Sequence, residues 1–335
     1  MRVDGALLGT DLARSGEAAQ VFEAQGFDGV LSFEGPHDPF LPLALAARDT
    51  ERVQLTTAVA IAFARNPMVC AYQANDLQLI SRGRFVLGLG TQIRPHIERR
   101  FSETWSHPLA RIREYVRAVR AIFRCWHDGE QLAFRGRFYT HTLMTPFLSP
   151  GPNPYGSPPI LLAGFGPDMV AAAGAVADGW IVHPLHSRDY VSAIALPALR
   201  RGLDRAGRER ASFTISCQTI VMLGRTDEEI ARARRNARAQ IAFYGSTPAY
   251  RVLLDHHGWG DLQPLWNRMS KEGRWGEMID LVTDEMLDVV GVSGTPAAVA
   301  ARLRARNDFA DRVTLVLYNE TDPDAVVDVV RALRR

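Results

Sequence analysis

Three polar side chains stand where a proton could be moved. Glu34-Gly35-Pro36-His37-Asp38 follows one short apolar run, and His183-Pro184-Leu185-His186 follows another. Imidazole has an ordinary pKa close to neutrality, so His37 or His183 suits an acid/base role, with Glu34 as a carboxylate nearby. The stretch LLAGFGPDM (161–169) sets Gly164, Phe165, Gly166 and Pro167 at the start of a helix, where free backbone amides can hold an anion. A plain strand-to-helix turn uses glycine too, and Asp168 would repel a phosphate if it pointed inward. A third run ends in Gly88-Leu89-Gly90-Thr91-Gln92, where the backbone could lie against something flat.

The elements that would position these residues alternate almost from end to end. Strands are expected at Val3–Leu8, Gly29–Phe33, Val53–Ala60, Phe85–Leu89, Pro159–Ala163, Trp180–Val182, Thr214–Leu223 and Arg312–Leu317. Helices fall between them. Asn66 caps one with Pro67 in its first turn, and Gly83 lies just past its end. Leu109, Ile112, Val116, Val119, Phe123 and Trp126 mark another at three- and four-residue steps. Leu132–Tyr139 reads as a hairpin outside the repeat. Thr226-Asp227-Glu228-Glu229 opens a long helix to about Tyr244, and Ser246–Val292 interrupts the rhythm as an inserted lid. Eight strand–helix units in 335 residues is the count of a TIM barrel; an open doubly wound sheet is the alternative, but no GxGxxG follows the first strand. In such a barrel the site lies at the C-terminal ends of the strands. That gathers Gly9-Thr10, Glu34 to Asp38, Val59 to Arg65, Thr91-Gln92, Gly164 to Pro167 and His183 to His186 at one mouth.

Other chemistries fit poorly. A barrel zinc hydrolase would carry His-x-His after the first strand, where this chain has Leu8-Gly9-Thr10, and His183-x-x-His186 has no companions at other strand ends. No metal is therefore expected. His256-His257 falls in the insertion. No GxSxG elbow occurs, and Lys271 is the single lysine available for a Schiff base. Three cysteines without a CxxC fit a reducing cytoplasm. A net charge of +2 gives no reason to expect nucleic acid or a membrane surface as partner. The N-terminus lacks a signal-peptide core, and no apolar run approaches the ~20 residues of a membrane helix.

The order RNPMVCAYQANDLQLISRGRFVLGLGTQ (65–92) resembles the bacterial luciferase-like monooxygenase superfamily, in which an N-P helix, an S-x-GR turn and an LGLG strand follow one another at this spacing. PPILLAGFGPDMVAAAGAVADGWIVHP (158–184) and GTPAAVAARL (294–303) resemble later segments of the same family. HDPFLPLALAARDTERVQLTTAVAIAFARNP and the turn Arg99-Arg100-Phe101 are most similar to its branch that uses the deazaflavin coenzyme F420. The resemblance implies an oxidoreductase that transfers hydride between F420 and a small organic substrate, with His37 or His183 moving the proton. It puts a bulge, often a non-prolyl cis peptide, at Ala58-Val59 behind the cofactor ring, with small residues because backbone touches the ring. It puts Thr91 and Gln92 near the ring or ribityl chain, Gly164, Phe165 and Gly166 at the phosphate, Glu34 or His37 beside the ring, and His183 toward the substrate. The family often has an acidic residue followed by histidine, whereas Gly35-Pro36 separates the pair here. A homodimer is also implied. An FMN-dependent two-component monooxygenase keeps the same fold, and a non-catalytic ligand-binding barrel is the reading from another class.

Overall fold

A computed structural model describes residues 1–7, 11–318 and 321–334. Gly9 and Thr10, expected after the first strand, lie outside the described residues. Eight parallel strands close on themselves: β1 (Arg2–Ala6), β2 (Gly29–Ser32), β3 (Gln54–Thr57), β4 (Phe85–Gly90), β5 (Ile160–Ala163), β6 (Gly179–Val182), β7 (Thr214–Leu223) and β8 (Arg312–Val316). The ring shuts where β7 pairs with β6 on one side and β8 on the other, and β8 pairs with β1. This is the expected TIM barrel. Helices α1 (Ser15–Ala24), α2 (Phe40–Asp49), α3 (Pro67–Ile80), α4 (Pro108–His127), α5 (Pro167–Val176) and α6 (Leu196–Arg205) follow the first six strands.

Strands buried on both faces read as continuous apolar runs, and β4 and β6 are buried throughout. Alternation sends Phe85, Leu87, Leu89, Leu162 and Trp180 to the helical layer, and Val86, Leu161 and Ile181 to the barrel interior. Asn66 caps α3 through a 2.8 Å bond from the Met68 amide, and Gly83 takes the left-handed angle (φ 87°) that ends it. The hairpin stands apart from the barrel, as expected, but pairs Phe134–Arg135 with Thr140–His141.

Two departures matter for function. The expected strand Val53–Ala60 is broken: β3 ends at Thr57, the Ala58–Val59 peptide is cis, and Ala60–Ile61 returns to pair with β4. The seventh unit is also rebuilt. The long helix α7 (Asp227–Gly245), opened by a capping box of Thr226 and Glu229, is not the barrel helix of its unit. Its buried face (Ala233, Ala237, Ile241) belongs to one core with Leu253, Leu254, Trp266 and Met278 of the insertion. Helix α8 (Pro296–Arg306) takes the barrel position instead, packing Val299 and Leu303 with Val313 of β8 and with Ala325 and Val329 of α9 (Pro323–Arg334). A strand absent from the sequence reading, Gly291–Gly294, pairs with the far half of β7. The stretch expected as the insertion, Ser246–Val292, follows α7.

Candidate active site

One side of the barrel mouth is built from small residues. Thr57 holds β4 through its side chain: its hydroxyl donates to the Gly88 carbonyl (2.8 Å) and accepts from the Gly88 amide (2.9 Å). A Cβ on Gly88 would lie 1.9 Å from the Thr57 carbonyl oxygen, and one on Gly90 would lie 2.6 Å from a Val59 methyl. These two glycines therefore serve the bulge of the neighbouring strand. Ala58, Val59 and Ala163 pack beside Val86, Leu161 and Ile181 and keep part of their surface open above them. Thr91 and Gln92 sit half-buried beside them. Gln92 is in the left-handed region (φ 60°), and its side chain accepts the Ile93 amide at 2.9 Å.

Glu34 is committed to this bulge. Both its oxygens meet the Arg65 guanidinium (2.6 and 2.9 Å), and one also accepts the Ile61 amide (2.6 Å). Its own amide bonds the Val59 carbonyl. Any catalytic use of Glu34 would compete with these bonds, two on Oε2 and one on Oε1. Arg65, at the point where the apolar run breaks off, is the partner that sequence reasoning passed over. His37 lies elsewhere, half-buried in a cleft of about 600 Å3 with Ser32, Phe33 and Pro36, against Ala18 and Phe22 of α1 and Pro42 of α2. Gly35-Pro36 thus sends Glu34 and His37 to different places.

The other side of the mouth is aromatic. Phe165 stacks on Tyr190 (5.6 Å between centroids, 21°) and meets Tyr250 edge-on at 4.6 Å. The Phe165 and Gly164 carbonyls are taken by the Tyr190 hydroxyl and the Trp180 indole. The His183 ring lies 4.5 Å from Tyr250 and 4.6 Å from Tyr244. Its Nδ1 accepts the Leu185 amide (3.1 Å), so the proton sits on Nε2 and is donated to the Tyr250 hydroxyl at 3.0 Å. Burial pushes the His183 pKa down to about 3. The expectation of a near-neutral base at His183 is therefore corrected: at physiological pH it is a neutral hydrogen-bond donor. Beyond it, the Tyr244 and Tyr318 hydroxyls pair at 3.0 Å, both phenols raised above their ordinary pKa by burial. Tyr318 follows β8 as His183 follows β6, and its position at a strand end could have marked it. Tyr244 and Tyr250 arrive from α7 and the insertion, and no local pattern announces them.

Gly166 caps α5 in ordinary extended backbone (φ −69°), and a Cβ there would meet nothing within 4 Å. Neither the backbone angle nor the space at Gly166 demands glycine. What remains is an open approach to the first turn of α5, where Pro167 has no N–H, the Met169 and Val170 amides both bond the Gly166 carbonyl, and the Asp168 amide is the donor left toward the mouth.

Behind the aromatic side, His186 donates from Nδ1 to the His183 carbonyl (3.0 Å) and faces Cys217 through Nε2 (3.4 Å), with Asn307 at 3.6 Å from the same sulfur. These residue types could form a thiol nucleophile. Burial instead drives His186 to about 3 and Cys217 to about 12, so the pair stays neutral. Arg306 joins this node, donating to the His186, Val289 and Val290 carbonyls. His256 and His257 tie the insertion to the loop after β6, through Asp189 (2.6 Å) and Ser187 (2.7 Å). Among the described residues no three His, Cys, Asp or Glu side chains gather to hold a metal ion, and no helix is long and apolar enough to cross a membrane.

A closed parallel barrel with a kinked third strand and a site at its mouth defines the structural class. Residues 2–312 match the family model of luciferase-like monooxygenases, and the chain belongs to that family. It is 48% identical to an uncharacterized protein of Mycobacterium tuberculosis, over 100% of this chain and 98% of that one. It is 29% identical to a putative coenzyme F420-dependent oxidoreductase of the same organism, over 83% of each chain. Its fold matches the coenzyme F420-dependent tetrahydromethanopterin reductase of Methanopyrus kandleri with a TM-score of 0.79 and 18% identity, over 99% and 97% of the two chains.

Proposed function

We propose that this protein is an oxidoreductase that uses the deazaflavin F420 to pass a hydride to or from a small organic substrate. The observation that carries the reading is the partly open surface of Ala58, Val59 and Ala163 at three strand ends, next to the open first turn of α5. A planar tricycle fits against such a surface, and a phosphate fits at such a helix start. Thr91 and Gln92 would flank the polyol between them. F420, when bound, supplies a carbon centre that carries hydride and reacts poorly with oxygen. The relative named for F420 supports this choice over FMN.

The chain's own residues would then orient substrate and move the proton. Neutral His183 holds Tyr250 in place. The Tyr244–Tyr318 hydroxyl pair offers a proton to a substrate oxygen at the mouth, and His37 offers one from the cleft beside it. The inserted layer would act as the lid, its moving part being the seam made by Tyr250, His256 and His257. A cytoplasmic homodimer completes the proposal. Helix α3 is apolar on its outer side as well, with Val69 and Ile80 half-exposed, and Phe147 is 95% exposed, surface that a second copy would cover.

Titration of the purified chain with F420 and with FMN, followed by cofactor fluorescence, tests the cofactor. Saturable binding of F420 with negligible binding of FMN is expected. FMN binding alone would make the chain a flavin monooxygenase, and binding of neither would return it to a non-catalytic barrel. Light scattering at micromolar concentration should give twice the chain mass.

A further inference from the structure

We propose that the base of the barrel, at the opposite end from the mouth, holds a second ligand site for a small phosphate-type oxyanion. A cavity of about 410 Å3 opens there, lined by Arg2, Arg52, Arg84 and Arg312 with Asp28 and Gln54. The residues come from the starts of five adjacent strands. Arg2 begins β1, Arg312 begins β8, Asp28 precedes β2, Arg52 and Gln54 lead into β3, and Arg84 precedes β4.

Most of these charges already have work. Arg312 meets both oxygens of Asp4 (2.8 and 2.5 Å), and this buried pair is 5% and 8% exposed. Gly29 leaves the space for it, since a Cβ there would lie 2.6 Å from both partners. Arg84 is spent on the carbonyls of Ala47, Thr50, Val53 and Ser81 and on the Thr50 hydroxyl. Asp28 accepts the Val3 amide and the Arg334 guanidinium. Arg52 is left with one long bond, 3.4 Å to the Glu23 carbonyl, because the Glu23 carboxylate is occupied by the amides of residues 51, 52 and 53. The Arg2 amide bonds the Asp311 carbonyl, and among the described residues its guanidinium makes no hydrogen bond or ion pair.

Four guanidiniums face the Asp28 and Asp4 carboxylates, an excess of two positive charges. Adding Arg334 with Glu23, or Arg82 with Glu51, leaves that excess unchanged. Two guanidiniums on the wall of a polar cavity are matched by an anion that can accept from each in a forked geometry, which a phosphate-type oxyanion does. Solvated arginines on a convex surface would carry no such implication. Here they share one concave wall above a buried ion pair.

The test is calorimetric titration of inorganic phosphate into the cofactor-free protein, at ionic strength held constant with chloride. Gly166→Asp serves as a control that closes the helix start at the mouth. One saturable phosphate per chain is expected, retained in Gly166→Asp and weakened at least tenfold in Arg2→Gln/Arg52→Gln. Both arginines are exposed, and an unchanged melting temperature without phosphate would show that the double variant folds. Arg52→Glu alone provides a second variant with the same expected loss. The proposal falls if phosphate does not bind saturably, if binding vanishes only in Gly166→Asp, or if neither arginine variant weakens it.

Discussion

The two sides of the mouth are built on opposite plans. The small-residue side is a covalent neighbourhood: Thr57, Ala58 and Val59 lie on one strand, Gly88 and Gly90 on the next, and Glu34 and Arg65 clamp the bulge from either flank. The aromatic side is assembled from five separate segments, with Phe165 after β5, His183 after β6, Tyr244 on α7, Tyr250 in the insertion and Tyr318 after β8. The first has least room to yield at Gly88, which lies against the Thr57 backbone, and more at Gly90, which lies against a Val59 methyl. The second is held by single hydrogen bonds and ring contacts between side chains, each of which can be changed alone. Shape is set by the first and polarity by the second.

The largest effect should come from forcing the rigid side. Gly88→Ala places a methyl against the Thr57 carbonyl, which cannot move without shifting β3, and should cost about 3 kcal/mol or more in urea unfolding. Gly90→Ala presses on a Val59 side chain that can give, and should lose cofactor affinity with less loss of stability. Equal losses from the two variants would erase the distinction between backbone and side-chain contact. Glu34→Ala comes next. It strands Arg65, whose side chain is 12% exposed, and should cost about 2–3 kcal/mol. If stability is kept while turnover collapses, Glu34 is catalytic after all.

Acid should act on the aromatic side. His183 and His186 sit near 3 in the folded protein against an ordinary 6.5, so the unfolded chain takes up protons first. Stability from these two groups is complete above about pH 6.5 and drains away as pH falls toward 3, by roughly 1 kcal/mol per pH unit for each histidine. His183→Asn should lower that slope relative to the wild type between pH 6 and 4. Parallel curves would mean His183 is solvated. The smallest change is Tyr250→Phe, which leaves the His183 Nε2 proton without its partner and should cost about 1 kcal/mol. F420 affinity should change little there, since Tyr250 keeps its ring against Phe165 and lies away from the ring surface of Ala58 and Val59.

The same contrast explains what could be read from the sequence. The eight strands, the cap at Asn66 and the helix start at Thr226 depend on residues close in sequence and were legible there, whereas the cis bond at Ala58–Val59 was implied by the family resemblance. The close contacts of Gly88 and Gly90 were not legible, because they are across a strand pair and not within one run. The protonation of His183 was misjudged because desolvation comes from Tyr244 and Tyr250, more than sixty residues away by their numbers. The engagement of Glu34 by Arg65 was not legible, because it depends on how the chain turns after the bulge. The packing partner of α7 was not legible either: its amphipathic pattern is that of any barrel helix.

The ladder between the far half of β7 and Gly291–Gly294 has a consequence for how this family can vary. Leu223 and Gly294 are paired neighbours, so the chain leaves the barrel and comes back at nearly the same point. The entropy of closing such a loop grows only slowly with its length. Everything between the two strands is therefore an appendix with a fixed doorway. Its content can be lengthened, shortened or replaced while the eight barrel strands keep their register. Substrate choice can drift through residues such as Tyr250, while the frame under Ala58 and Val59 stays as it is.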